Sequence, residues 1–117
     1  MRDFRKLEIW KASLVMVKKV YSVTAALPLH EKYGLTSQMN RAAISIPSNI
    51  AEGCSRNSKI ELARFLEIAI GSSFELESQI EVCRLLTYIN ESHSQLLICE
   101  LNILQKQMNL YREMVRR

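Results

Sequence analysis

Glycine and proline are scarce in this chain of 117 residues, with three of one and two of the other. That leaves little material for the many tight turns of an all-β protein. No apolar run approaches the ~20 residues that a membrane-spanning helix needs; Leu96-Leu97-Ile98-Cys99 is typical of the longest. Charges at Lys6, Glu8, Lys11, Lys18 and Lys19 interrupt the N-terminal segment, so no signal-peptide core is expected there. The three cysteines, Cys54, Cys83 and Cys99, are odd in number and lack C-x-x-C spacing. They exclude a disulfide framework and a zinc finger, and are expected as reduced core thiols of a cytoplasmic protein. Of the two histidines, His30 and His93, neither sits in the E-x-x-H spacing of a helical di-iron site. No phosphate-cradling glycine loop occurs, and nothing positions a Ser/His/acid triad. The expectation is a protein that is not an enzyme and that uses no metal or cofactor.

Helical periodicity is abundant. Leu7, Trp10, Leu14, Val17 and Tyr21 follow a 3–4 spacing, which predicts a first helix from about Phe4 to Leu27 with that stripe inward. Pro28 ends it, and Gly34 turns the chain. A second helix is predicted from Thr36 or Ser37 as N-cap, through Met39, Ala42, Ala43 and Ile46, to Gly53. Pro47 falls inside it and predicts a kink, with Ser45, Ser48 and Asn49 near enough to satisfy the freed backbone. Ser58-Lys59-Ile60-Glu61 matches a capping box. It starts a third helix whose seam is Leu62, Leu66, Ala69, Ser73, Leu76, Ile80 and Cys83, running to about Ile89. Gly71-Ser72-Ser73 is expected to let a neighbouring helix come close. After Asn90 and Glu91, a second box, Ser92-His93-Ser94-Gln95, predicts a fourth helix with the seam Leu97, Leu101, Leu104, Met108, Tyr111 and Val115. Four long helices with short connections make residues 1–117 one all-α domain, an antiparallel up-down-up-down four-helix bundle.

The helices carry more apolar surface than one bundle hides. The first has a second stripe of Ile9, Met16, Val20, Val23 and Leu27. The third places Ile70, Phe74 and Leu85 off its seam, and the fourth adds Leu96, Ile103, Leu110 and Met114. Contiguous apolar surface marks an interface, so Ile70, Phe74, Leu85, Ile103 and Leu110 are candidates for self-association. Glu100 and Gln107 project between the apolar stripes of the fourth helix and require water or a partner. The net charge is +4, divided as +4 over residues 1–33, +1 over 34–57, −3 over 58–91 and +2 over 92–117. Basic groups on outer helix faces attract phosphate backbones. The candidates for RNA or DNA binding are Lys11, Lys18, Lys19, Arg41, Arg56, Lys106, Arg112 and Arg116, although Glu8 and Glu113 interrupt the stripes. The alternative is a scaffold for a protein partner, with the acidic third helix as the contact.

Several runs carry a family resemblance: Phe4-Arg5-Lys6-Leu7-Glu8-Ile9-Trp10, Tyr33 to Gln38, Arg41-Ala42-Ala43-Ile44-Ser45-Ile46-Pro47-Ser48-Asn49-Ile50-Ala51-Glu52-Gly53, and Gly71 to Glu77. Together they resemble the 23S ribosomal RNA intervening-sequence proteins over nearly the whole chain. Cys54 departs from the pattern, since a bulky residue is common after the Glu-Gly pair. The resemblance implies a bacterial four-helix bundle assembled as a homopentameric ring, without enzymatic activity. The family is similar to the accessory proteins of diversity-generating retroelements, which are basic pentamers that bind nucleic acid and a reverse transcriptase. Arg41, Asn49 and Glu52 are the residues of the specific run to test for a structural or a binding role.

Overall fold

Ser58 opens α3 (Lys59–Leu85) as its spacing expects, its hydroxyl accepting the Glu61 amide at 3.3 Å. The computed structural model, which describes residues 1–117, places three more α-helices around it: α1 (Glu8–Ala25), α2 (Leu35–Cys54) and α4 (Glu91–Arg116). There are no strands. A short 3₁₀ turn at Phe4–Lys6, capped by Asp3, precedes α1, which ends at Ala25, ahead of Leu27 and Pro28.

Two of the expected caps are replaced. α2 has Gly34 in the N-cap position, and Thr36 and Ser37 do not cap it. Instead Oε1 of Glu31, from the preceding loop, accepts the Leu35 amide at 3.2 Å. Its other oxygen accepts the Tyr88 hydroxyl at 3.0 Å, so one carboxylate ties the α1–α2 loop to the α3–α4 loop. That bond holds the Tyr88 phenol above its ordinary range, because ionising it would set two anions side by side. α4 is capped by Asn90, whose Oδ1 accepts the His93 amide at 2.7 Å, and not by Ser92.

α3 also ends before Ile89. Thr87 takes a left-handed φ of 62°, and the amides of Thr87 and Tyr88 close back on the carbonyls of Arg84 and Cys83 at 3.0 and 2.9 Å. This pattern terminates a helix, but glycine suits that position and a β-branched residue does not. Thr87→Gly is expected to raise the unfolding free energy by about 1 kcal/mol, measured as a higher urea midpoint.

Side-chain pairs fix the helix directions. Thr24 bonds Asn40 at 2.8 Å, joining the end of α1 to the start of α2, while the Arg2 amide reaches the Cys54 carbonyl at the far end of α2. Ser45 meets Ser72 at 2.8 Å between α2 and α3, and Asn102 meets Glu77 at 2.9 Å between α3 and α4. Lys19 of α1 pairs with Glu100 of α4. Neighbouring helices therefore run antiparallel. α1 packs on α2 and more thinly on α4, and does not reach α3. The bundle is 43 Å long.

One cluster of 22 buried apolar residues draws on all four helices. The whole predicted α3 seam is buried, as is the α4 seam apart from half-buried Tyr111. The α1 seam is only partly as expected. Leu7, Trp10 and Val17 are half-buried against the core, but Ile9, Met16, Val20 and Val23 of the second stripe are the buried ones, and Leu14 and Tyr21 are each 42% exposed. Ser13 and Thr24 share the inward face: Ser13 donates its hydroxyl to the Trp10 carbonyl at 2.6 Å, while Thr24 donates to Asn40 Oδ1 at 2.8 Å, with the Tyr21 carbonyl of its own helix farther off at 3.3 Å. Cys54 and Cys83 are core thiols, pushed up in pKa by burial, but Cys99 is exposed. A side chain at Gly71 would meet nothing within 4 Å, so the close approach of α2 to α3 belongs to Ser72 and to Gly53.

Candidate functional site

Antiparallel packing brings four separate stretches to one end of the bundle: the N-terminal residues, the end of α2, the start of α3 and the end of α4. Residues 1–11, 52–67 and 112–117 together carry ten basic side chains against six acidic ones. At the opposite end, the α1–α2 loop and residues 75–95 carry two basic against five acidic. Charge is thus sorted along the bundle axis, from a basic end to an acidic end.

The basic end is built on fixed parts. Arg56 lies with its guanidinium 5.0 Å above the Phe65 ring and pairs with Glu52 at 3.2 Å. Arg112, whose side chain is 22% exposed, pairs with Glu67 at 3.3 Å and Glu113 at 3.1 Å. Arg116 stands 3.8 Å from Glu113. Between α3 and α4, Lys59, Ile60, Ala63, Arg64, Glu67 and Arg116 line a shallow groove. Lys59 donates to the Arg117 carbonyl at 3.4 Å across it. Beneath this surface, burial pushes the Tyr111 phenol and the Cys54 thiol up in pKa, while the charge of nearby Arg2 pulls both the other way.

Of the residues expected to contact nucleic acid, Arg56, Arg112 and Arg116 gather here. Lys11 lies one turn above, paired with Glu8 at 3.5 Å. Lys18, Lys19, Arg41 and Lys106 do not join them; they stand around the middle of the bundle, and Lys19 is held by Glu100. That ion pair also gives Glu100 its partner between the α4 stripes. Arg2, Arg5, Lys6, Lys59, Arg64 and Arg117 also stand at this end, outside the candidate set. Counting charge by height in the predicted bundle would have found them, because the fold sets which chain segments meet.

A second surface runs along the wall formed by α3 and α4. Phe74 is 60% exposed, and it lines one stretch with Ile70 and Lys106. Ile103, 53% exposed, lines the next, an open groove of ≈ 660 Å³ that also holds Glu77, Glu81, Glu91 and Arg84. Glu77 accepts from both Asn102 and Gln105 at 2.9 Å, which bolts the groove floor together. Leu85 and Leu110 are exposed beyond the groove at either end.

The specific run on α2 divides differently. Arg41 is exposed. The Asn49 amide donates to the Ser45 carbonyl and hydroxyl at 2.8 and 2.9 Å, and not to the Ala43 carbonyl that Pro47 leaves without its helical donor. Glu52 is engaged with Arg56. These three side chains do not converge on one point. No three metal-ligating side chains come together anywhere in the chain, and no helix is long and apolar enough to cross a membrane.

Residues 5–110 match the family model described as 23S rRNA-intervening sequence protein. No curated protein matches the chain in sequence. Among solved structures it is similar to a protein of unknown function from the S23 ribosomal protein family of Bacteroides thetaiotaomicron VPI-5482. The two superpose with a TM-score of 0.83 at 20% identity, over 90% of this chain and 95% of that one.

Proposed function

The chain belongs to the 23S rRNA-intervening sequence protein family, and on that footing we propose that it is a non-enzymatic, cytoplasmic, homo-oligomeric protein that binds structured RNA or DNA through the basic end of its bundle. The observation that carries this reading is the sorting of charge: the basic end holds ten basic against six acidic side chains, an excess as large as the +4 net charge of the whole chain, while the opposite end is net acidic. Arginines held by stacking and by carboxylates keep their terminal guanidinium nitrogens at set positions, although Nε of Arg56 and of Arg112 is buried, and this suits phosphate contacts made without base readout. Self-association is supported by the apolar side chains that the single bundle leaves outside, Phe74, Leu85, Ile103 and Leu110 among them. A ring of five is the number that the family resemblance implies. His30 stands beside Tyr88 at the acidic end, and His93 is exposed on the first turn of α4.

The test is a titration of a labelled RNA hairpin and a DNA duplex at several salt concentrations, with the mass in solution measured beside it. The expected result is an oligomer whose affinity falls steeply with salt and differs little between sequences. No binding at low salt, or affinity that stays flat as salt rises, removes the nucleic-acid reading. The acidic end supports a second reading, a scaffold for a basic protein partner; a stoichiometric protein recovered after nuclease treatment would favour it over the first.

A further inference from the structure

The α1 side chains that the core rejects form an ordered stripe. Leu14, Lys18 and Tyr21 follow one another at helical spacing on the outer face, with Val15, 54% exposed, beside them. Lys18 has no ion-pair partner within the subunit. A stripe of alternating apolar and cationic groups calls for a surface with exposed apolar side chains and carboxylates at matching intervals. The α3–α4 groove is such a surface, with Phe74, Ile98 and Ile103 beside Glu77 and Glu81.

From these we infer that α1 of one subunit docks into the α3–α4 groove of the next, a head-to-tail contact between copies of this chain. The inference rests on the homo-oligomeric reading above and names its two faces. A subunit cannot satisfy the contact itself, because its own α1 does not reach α3.

The heights agree. Lys19 pairs with Glu100, and Asn102 bonds Glu77, so residues 14–21 of α1 occupy the same stretch of the bundle axis as Phe74–Glu81. Two subunits can therefore meet level to level. In that docking Leu14 and Tyr21 cover Phe74 and Ile98, and Lys18 falls between Glu77 and Glu81. Arg84, the nearest groove cation on α3, is already paired with Glu81 at 3.4 Å, and Lys106 lies lower, at the level of Phe74. A contact between two different faces without an axial step builds a ring when the rotation closes. It also gives Lys18 a role in assembly, leaving polyanion contact to the basic end.

The test is charge exchange, read by sedimentation equilibrium of the full chain. Lys18→Glu and Glu81→Lys, each alone, are expected to weaken association by about 10-fold or more, and the double variant to recover most of it. Phe74→Asp is expected to give a single chain at micromolar concentration with unchanged helical circular dichroism. Wild type running as a single chain would end the oligomer reading itself. An oligomeric wild type whose mass survives all four variants would overturn this docking alone. So would a Lys18→Glu defect that Glu81→Lys fails to rescue, since α1 would then meet another face.

Discussion

Gly53→Ala is expected to lower the unfolding free energy by about 1–3 kcal/mol, although alanine is the better helix former. A β-carbon on Gly53 would lie 2.9 Å from Cδ1 of Leu62 and 2.9 Å from Cβ of Phe65. Leu62 can swing its methyl aside, but the Phe65 Cβ is fixed to the α3 backbone. The end of α2 must therefore back away from α3. That shift also disturbs Arg56, which lies over the Phe65 ring. Gly71→Ala is the contrasting case. It lies within α3 over open space, so it is expected to raise stability by about 0.5–1 kcal/mol. Urea midpoints of the two variants measure the difference. Equal effects at the two sites would mean that helix propensity alone governs both.

Removing Lys59, Arg64 and Arg116 together, each to alanine, is expected to weaken binding to a DNA duplex by on the order of 30-fold or more near ~100 mM salt. These groups line one groove at the basic end, and their loss leaves Glu67 there with less cationic company. If each contacts one phosphate, the slope of log affinity against log salt should become shallower by about 2.7. The substitutions lie on the surface, so stability should stay within about 0.5 kcal/mol of wild type. Arg41→Ala, half-way along the bundle, is expected to change affinity by less than about 3-fold. Fluorescence anisotropy across salt concentrations gives both affinity and slope. An unchanged slope in the triple variant, or a larger loss from Arg41→Ala, would move the contact surface to the flank of the molecule.

Much of the fold was legible because α3 and α4 each carry one continuous seam, apolar but for Ser73, that is buried along its length apart from half-buried Tyr111. Leu62 to Cys83 and Leu97 to Val115 could be read inward residue by residue. On α1 the inward face is rotated toward the second stripe: Leu7, Trp10 and Val17 stay against the core, and Leu14 and Tyr21 fall outside it. Two apolar stripes lie side by side, and periodicity reports that a stripe exists without saying which one is covered. Ser13 and Thr24 disguised the inward one, since a hydroxyl that finds an acceptor, in its own helix for Ser13 and on α2 for Thr24, can be buried at little cost. The caps were misread for a related reason. Ser92 and Asn90 are both chemically able, and the left-handed turn at Thr87 decided the register. Glu31 capping α2 from outside the helix is a tertiary contact, which local spacing does not reveal. The basic end escaped notice because its members are far apart in the chain, from Arg2 to Arg117, and only the alternating direction of the helices makes them neighbours.

If the proposed reading holds, a molecule charged at its tip would touch a polyanion end-on, like a peg set into a board. Its long flanks would then stay clear of the nucleic acid and be open to other copies. Gripping a strand and gripping a sibling draw on different surface, so neither occupancy has to be surrendered for the other. Subunits can be recruited to a strand already joined, and a preformed assembly would offer several tips at once.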